Sequence, residues 1–129
     1  MKILIADDSR VMRQIVTRTL RQAGYDGHEL VEAADGQEAL DKAVSEKPDL
    51  VLSDWNMPEM DGLTFVQIVR DDPRYRRLSL LMVTTESEQS QIVRALAAGA
   101  HEYLIKPFTP DAVAEKLELL GLTTAGSLT

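Results

Sequence analysis

An α/β domain built on an open parallel sheet, with helices on both faces, is the fold class that the sequence predicts. Three observations carry that prediction. Short β-branched or Leu-rich runs alternate with longer stretches of helical period, the pattern of repeated strand-helix units. The clearest strand run, Leu50-Val51-Leu52, is apolar without interruption, as expected of a strand covered on both faces. The length of 129 residues suits one domain, and no internal repeat or linker divides it.

The elements follow in order. Lys2 to Ala6 is the first strand, and Arg10 to Ala23 the first helix. In that helix Val11, Met12, Ile15, Val16, Thr19 and Leu20 recur on one side, and Gly24 is its stop. Glu29 to Ala33 is a weaker second strand. Asp35-Gly36 opens a second helix whose buried stripe is Ala39, Leu40, Ala43 and Val44, and Pro48 ends that unit. Leu50 to Leu52 is the third strand, running into Asp54-Trp55-Asn56-Met57-Pro58, where proline bars continuation. The third helix spans Leu63 to Arg70, and Asp71-Asp72-Pro73 breaks it. Leu80 to Val83 is the fourth strand, Glu88 to Ala98 the fourth helix with Gly99 as its stop, and Glu102 to Ile105 the fifth strand. Thr109-Pro110-Asp111 places a hydroxyl at the N-cap, proline at N1 and an acid in the first turn, so a fifth helix runs from there to about Leu120. Residues 1–122 thus form the domain, and residues 123–129, which lack periodicity, are expected to be a flexible tail.

Composition excludes several classes of function. No cysteine is present, which removes disulfides, thiolate metal sites and cysteine nucleophiles together. Two histidines, His28 and His101, cannot alone form a histidine-rich metal site. A formal net charge of −7 argues against a nucleic-acid partner, whose sequence-independent attraction needs clustered cations. The basic run Arg70, Arg74, Arg76 and Arg77 is interleaved with Asp71 and Asp72 and reads as a solvated loop. No run of 18 apolar residues occurs, and the N-terminus turns acidic at Asp7 and Asp8. A cytoplasmic protein with neither membrane span nor signal peptide is therefore expected.

In open parallel sheets the functional crevice lies beyond the carboxyl ends of the strands. Asp7 and Asp8 follow the first strand, Asp54 the third, Thr84 and Thr85 the fourth, and Lys106 and Pro107 the fifth. The second strand delivers nothing comparable. Helix capping or a turn would account for each residue alone. It does not account for three acids and a lysine converging on one edge. Two carboxylates about 4 Å apart repel by about 4 kcal/mol at an effective dielectric near 20, so the trio calls for a cation. Oxygen ligands without His or Cys select a hard ion, and few carboxylates suit Mg²⁺ better than Ca²⁺.

Asp7-Asp8, the segment Asp54-Trp55-Asn56-Met57-Pro58-Glu59-Met60-Asp61-Gly62, Met82-Val83-Thr84, and Tyr103-Leu104-Ile105-Lys106-Pro107-Phe108 together resemble the receiver domain of two-component response regulators. The likeness spans residues 1 to about 122 and is strongest to stand-alone chemotaxis receivers of the CheY type, which also carry Trp after the phosphorylated Asp. It implies a doubly wound, five-stranded flavodoxin-like sheet of order 2-1-3-4-5. It implies that Asp54 is the phosphoacceptor, that Asp7, Asp8, Asp54 and the backbone carbonyl of Asn56 hold Mg²⁺, and that Lys106 and Thr84 contact phosphoryl oxygens. Thr84 and Tyr103 would form the switch, and Asn56 and Glu86 would tune loss of the phosphoryl group. A cis Lys106-Pro107 bond is a further implication.

The function so implied is a stand-alone phosphoreceiver that takes its phosphoryl group from a histidine kinase and switches partner binding, in chemotaxis. It would be no enzyme beyond catalysing its own phosphorylation and dephosphorylation. The output target would meet the face of helix 4, strand 5 and helix 5, a phosphatase is a possible second partner, and the protein would be a monomer. Three alternatives stand beside this reading. A single-domain receiver in a non-chemotaxis phosphorelay would share every motif; Glu86-Ser87-Glu88-Gln89 stands where chemotaxis receivers are basic, which weakens the assignment of a flagellar-motor partner. A Mg²⁺-dependent phosphatase of the haloacid dehalogenase kind also uses an Asp nucleophile, but Asn56 occupies the position of its second, proton-donating acid. A flavodoxin-like cofactor carrier would need a hydroxyl- and glycine-rich phosphate loop where Asp7-Asp8 stands.

Overall fold

The computed structural model describes residues 1–25, 27–85, 89–106, 108–123 and 126–127. Glu86 and the Lys106-Pro107 peptide bond, for which the sequence raised expectations, lie outside them. Five strands, β1 (Lys2–Ala6), β2 (Glu29–Ala33), β3 (Leu50–Asp54), β4 (Ser79–Thr85) and β5 (Glu102–Lys106), pair in parallel in the order β2-β1-β3-β4-β5. The helices are α1 (Arg10–Leu20), α2 (Gly36–Glu46), α3 (Gly62–Asp71), α4 (Gln89–Ala98) and α5 (Pro110–Leu119). This is the doubly wound flavodoxin-like order that the family resemblance implied. Leu122–Thr123 and Gly126–Ser127 add a short antiparallel pair after α5.

Strand alternation divides the core in two. Leu4, Ala6, Val51, Leu80 and Met82 face the layer of α2, α3 and α4, where they meet Ala39, Phe65, Val66, Val69 and Ala95. Ile3, Ile5, Leu50, Leu52, Leu81, Val83 and Leu104 face the opposite layer, where they meet Val16 and Leu20 of α1 and Val113 and Leu117 of α5. A buried Leu, Ile or Phe is worth about 1.5–3 kcal/mol over its exposed state, and the two layers of such residues hold the strand ends in place.

Side-chain oxygens fix where the helices begin. Ser9, Asp35, Asp61 and Thr109 accept from Met12, Glu38, Thr64 and Ala112 N–H respectively, each an N-cap bond to the N3 amide. The α3 cap starts that helix at Gly62, one residue earlier than the apolar pattern indicated. The first helix is shorter than its pattern: α1 stops at Leu20, and a wider turn over Arg21–Tyr25 leads to Gly24 at φ 99°.

Two buried stripes are narrower than the sequence implied. Val16, Thr19 and Leu20 are buried and Met12 packs on them, but Val11 (64% exposed) and Ile15 (44%) face solvent. On α2 Ala39 and Ala43 are buried and Leu40 packs partly buried against the core, while Val44 is 45% exposed. In each case the i, i+4 series anchors the contact, and Val11, Ile15 and Val44 each lie about 100° around the helix from a packed neighbour, beyond the seam.

Arg70 is not part of a solvated loop, contrary to the sequence reading. Its guanidinium donates to the carbonyls of Gly99 (2.8 Å), Tyr75 (2.9 Å) and Leu78 (2.5 Å) and lies 3.2 Å from His101 Nδ1. Arg74 pairs with Asp72 instead (2.7 Å), while Arg76 and Arg77 are exposed as expected.

Candidate functional site

Register brings the polar residues to one edge. Ala6 pairs with Ser53, so Asp7 leaves β1 level with Asp54 at the end of β3. Asp54 pairs with Val83, immediately before Thr84, and Thr85 pairs with Lys106. β3, β4 and β5 each run one or two residues further toward this edge than their apolar patterns, because the crevice lets a polar side chain leave the sheet without breaking the backbone ladder, whereas β1 and β2 end where the pattern ends.

Asp7 (4% exposed), Asp54 (8%) and Thr84 (2%) are buried, whereas Asp8 and Asn56 are exposed. Lys106 Nζ lies between two acids, 3.1 Å from Asp54 Oδ1 and 3.3 Å from Asp7 Oδ2. Trp55 N–H also donates to Asp54 Oδ1 (2.9 Å), and Ser9 N–H to Asp7 Oδ1 (2.9 Å). One carboxylate oxygen from each of Asp7, Asp8 and Asp54 lies within 4.8 Å of the others. Three acids against a single ammonium leave negative charge in excess.

Burial pushes the Asp54 carboxyl above the ordinary carboxylate range; Lys106 opposes the shift and Asp7 adds to it. Burial alone would push the Lys106 ammonium down, but the combined attraction and hydrogen bonds of Asp54 and Asp7 outweigh it and hold the group above its usual range. Lys106 is therefore a fixed cation.

The loop after Asp54 is tightly determined. Gly62 N–H donates to Trp55 O (2.8 Å), and a Cβ at Gly62 would come within 2.5 Å of Asp54 O and 2.8 Å of Met82 Cε, so only glycine lets α3 begin this close to the acid. Glu59 takes φ 69° to complete the turn, and Trp55 and Met57 anchor it in the core.

The oxygen-only donor set and its unbalanced charge fit a hard divalent cation. The structure thus joins Asp7, Asp54 and Lys106 by ion pairs, sets Asp8 within 4.8 Å of the other two acids, and brings Thr84 alongside by register. Asn56 lies two residues beyond Asp54, and Tyr103 pairs with Met82, two residues before Thr84. Sequence reasoning missed Arg13 and Glu32. Arg13 donates to the Asp7 carbonyl (2.7 Å) and to Glu32 Oε1 (2.9 Å). The second strand, from which nothing was expected, delivers that glutamate. Its Ala33 carbonyl also accepts Asp7 N–H (3.0 Å).

The model of the response regulator receiver domain matches residues 3–118. The chain belongs to that family. Among curated relatives, chemotaxis protein CheY1 of Helicobacter pylori is 44% identical over 121 residues, covering 93% of this chain and 96% of the relative. Chemotaxis protein CheY of Pseudomonas aeruginosa is 43% identical over 118 residues, covering 92% and 94%. Among solved structures, the chemotaxis response regulator CheY4 of Vibrio cholerae superposes with a TM-score of 0.80 at 41% identity, over 92% of this chain and 97% of that one. A receiver domain of a Pseudomonas aeruginosa sensor histidine kinase, described with a magnesium ion coordinated in its active-site cleft, gives 0.80 at 27% identity, over 92% and 95%.

The receiver is CheY-like and consistent with a role in chemotaxis, and neither the phosphatase nor the flavodoxin-like carrier is favoured. Receivers of this family interact with histidine kinases and downstream targets and are not classical enzymes. Among the described residues, no helix is long and apolar enough to cross a membrane.

Proposed function

We propose that this receiver accepts a phosphoryl group on Asp54 from a histidine kinase and that the modification switches its affinity for a protein partner in chemotaxis. The observation that supports this most is the convergence of Asp7, Asp8, Asp54, Thr84 and Lys106 on one edge, four of them as the terminal or following residues of three strands. In the transfer, an Asp54 carboxylate oxygen forms the new P–O bond as the P–N bond to the donor histidine breaks, its electron pair leaving on nitrogen. Asp7, Asp8, Asp54 and the Asn56 carbonyl would hold Mg²⁺, which when bound supplies positive charge to the phosphoryl oxygens. Lys106, kept protonated by its two acids, supplies charge from another side without acting as a base. Thr84 would donate its hydroxyl to a phosphoryl oxygen, and Asn56 with Glu86 would set how fast water removes the group, alone or with a phosphatase.

Output would run through α4, β5 and α5. Tyr103 lines a concavity of about 350 Å³ with Ile92, Val93, Leu96 and Ile105, and another of about 320 Å³ with Phe108, Ala112 and Lys116 on its other side. Lys116 Nζ lies 4.6 Å from the Tyr103 ring centroid, a contact that a swing of the ring would break. A shift of Thr84 toward the phosphoryl group would open space for that swing, so a partner would read the position of Tyr103, and the receiver would do this as a cytoplasmic monomer.

Labelling with acetyl phosphate tests the chemistry. One phosphoryl group per chain should appear by intact mass, only with Mg²⁺, and Asp54→Asn should abolish it while remaining folded. Undiminished labelling of the variant would overturn the assignment. For the switch, the ratio of partner affinities with and without beryllofluoride should collapse in Thr84→Ala and shrink in Tyr103→Ala. If both kept the wild-type ratio, the signal would run through another element.

A further inference from the structure

We infer that Arg13, held in place by Glu32, is a positioning residue for the metal site, an inference that rests on the Mg²⁺ reading above. Two of the three cluster acids, Asp7 and Asp8, stand in the short turn between β1 and α1, so the turn must hold its shape against their mutual repulsion. Asp7 is tied at every polar atom of its backbone: its N–H donates to Ala33 O (3.0 Å), and its carbonyl accepts from Arg13 Nη1 (2.7 Å). The Arg13 side chain is only 15% exposed and its Nε donates to Glu32 Oε1 (2.9 Å), so one planar guanidinium spans the turn and the edge strand β2.

Two features argue that this arrangement serves the site. Arg13 lies in the opening turns of α1, whose first turn contains no acid, and a cation there opposes the helix dipole. Its own charge would also repel a metal ion at the neighbouring carboxylates. Pairing with Glu32 offsets that field at a distance while leaving the hydrogen bond to Asp7 intact. Geometry therefore outweighs charge in what Arg13 contributes, and this predicts the sign of the effect: losing Arg13 weakens Mg²⁺ binding even though a positive charge has gone.

Mg²⁺ titrations followed by Trp55 fluorescence, with melting temperature measured with and without the ion, test this on the full chain. Arg13→Ala should weaken Mg²⁺ affinity by about tenfold, the scale of a lost outer-shell partner. Arg13→Lys keeps the charge but cannot span Asp7 and Glu32 together, and should fall between. Glu32→Gln, which leaves the arginine unpaired, should weaken binding by less than Arg13→Ala. Tighter binding in Arg13→Ala would show that only its field matters and overturn the inference. Unchanged Mg²⁺ affinity with a lowered metal-free melting temperature would show a purely structural role and overturn it too. If Arg13→Ala does not fold, wild-type affinity in both Arg13→Lys and Glu32→Gln overturns it, and weakened affinity in both supports it. A wild-type protein without any Mg²⁺ response would overturn the metal reading itself, whereas the preceding failures leave that reading standing.

Discussion

Two clusters of partly buried charge sit at opposite ends of the same sheet, and they are built on opposite principles. At the carboxyl ends of the strands, Asp7, Asp8 and Asp54 crowd within 4.8 Å and share Lys106. At the amino ends, Arg70 meets three carbonyls and the His101 ring, and its interactions match its fork of donors. The first cluster holds excess charge of one sign, which a bound cation would balance. The second needs nothing further. On the proposed function the carboxyl end is the responsive part of the molecule, and the amino end is a tie between α3, the loop before β4, and the end of α4.

The comparison is tested most strongly by removing the tie. Arg70→Ala would strip a charged donor from three carbonyls, each such bond being worth about 1.5–3 kcal/mol in favourable cases. Rehydration of the freed carbonyls recovers part of that, so a loss of about 2–4 kcal/mol is expected in urea unfolding. Mg²⁺ affinity and acetyl phosphate labelling of the folded fraction should stay near wild type. Gly99→Ala should act in the same direction, because φ 123° disfavours any Cβ and the added atom would meet Arg70 Cγ. Lost labelling in folded Arg70→Ala would mean that the two ends are coupled and that the contrast is false.

The converse change belongs at the carboxyl end. Asp8→Ala removes one of three like charges, so the metal-free protein should unfold at slightly higher urea. Mg²⁺ affinity should fall by about tenfold or more, about 1.4 kcal/mol per factor of ten. A variant that was both less stable and equally tight for Mg²⁺ would show Asp8 to be an ordinary turn residue.

What the sequence disclosed differs between these two ends for a physical reason. Asp7, Asp8, Asp54, Thr84 and Lys106 were legible because each follows an apolar strand run in the sequence, and in a parallel sheet strand ends share an edge whatever the details of packing. The caps at Asp35 and Thr109 were legible because they act on neighbouring residues. Arg70 was not, since Gly99 and His101 lie 29 and 31 residues away and only packing of α3 against α4 brings them together. Arg13 and Glu32 were hidden likewise: they lie 19 residues apart on α1 and β2, and periodicity does not specify how close those elements come. Val11, Ile15 and Val44 look like core residues in the pattern because apolar character reports which side of a helix faces inward but not how wide the contact is.

The smallest expected effect is a pH dependence at the amino end. Burial lowers the pKa of His101, and the adjacent Arg70 lowers it further. Its Nδ1 accepts from Leu80 N–H (3.2 Å), so protonation would remove an acceptor and set a second cation beside the guanidinium. With the folded pKa below the unfolded value of about 6.5, the unfolded chain binds more protons in the window between them. The contribution of His101 to stability is therefore complete above that unfolded value and is lost as pH falls through the window. His101→Gln keeps an acceptor and does not titrate. Urea midpoints of variant and wild type, measured across a series from pH 8 downward, should run parallel at the alkaline end, with wild type falling more steeply below about 6.5. Carboxylates titrate in both proteins at lower pH, so the difference between the curves isolates the histidine. Parallel curves throughout would mean that the ring is solvated enough to take its proton freely, and Arg70 would then rest on its three carbonyls alone.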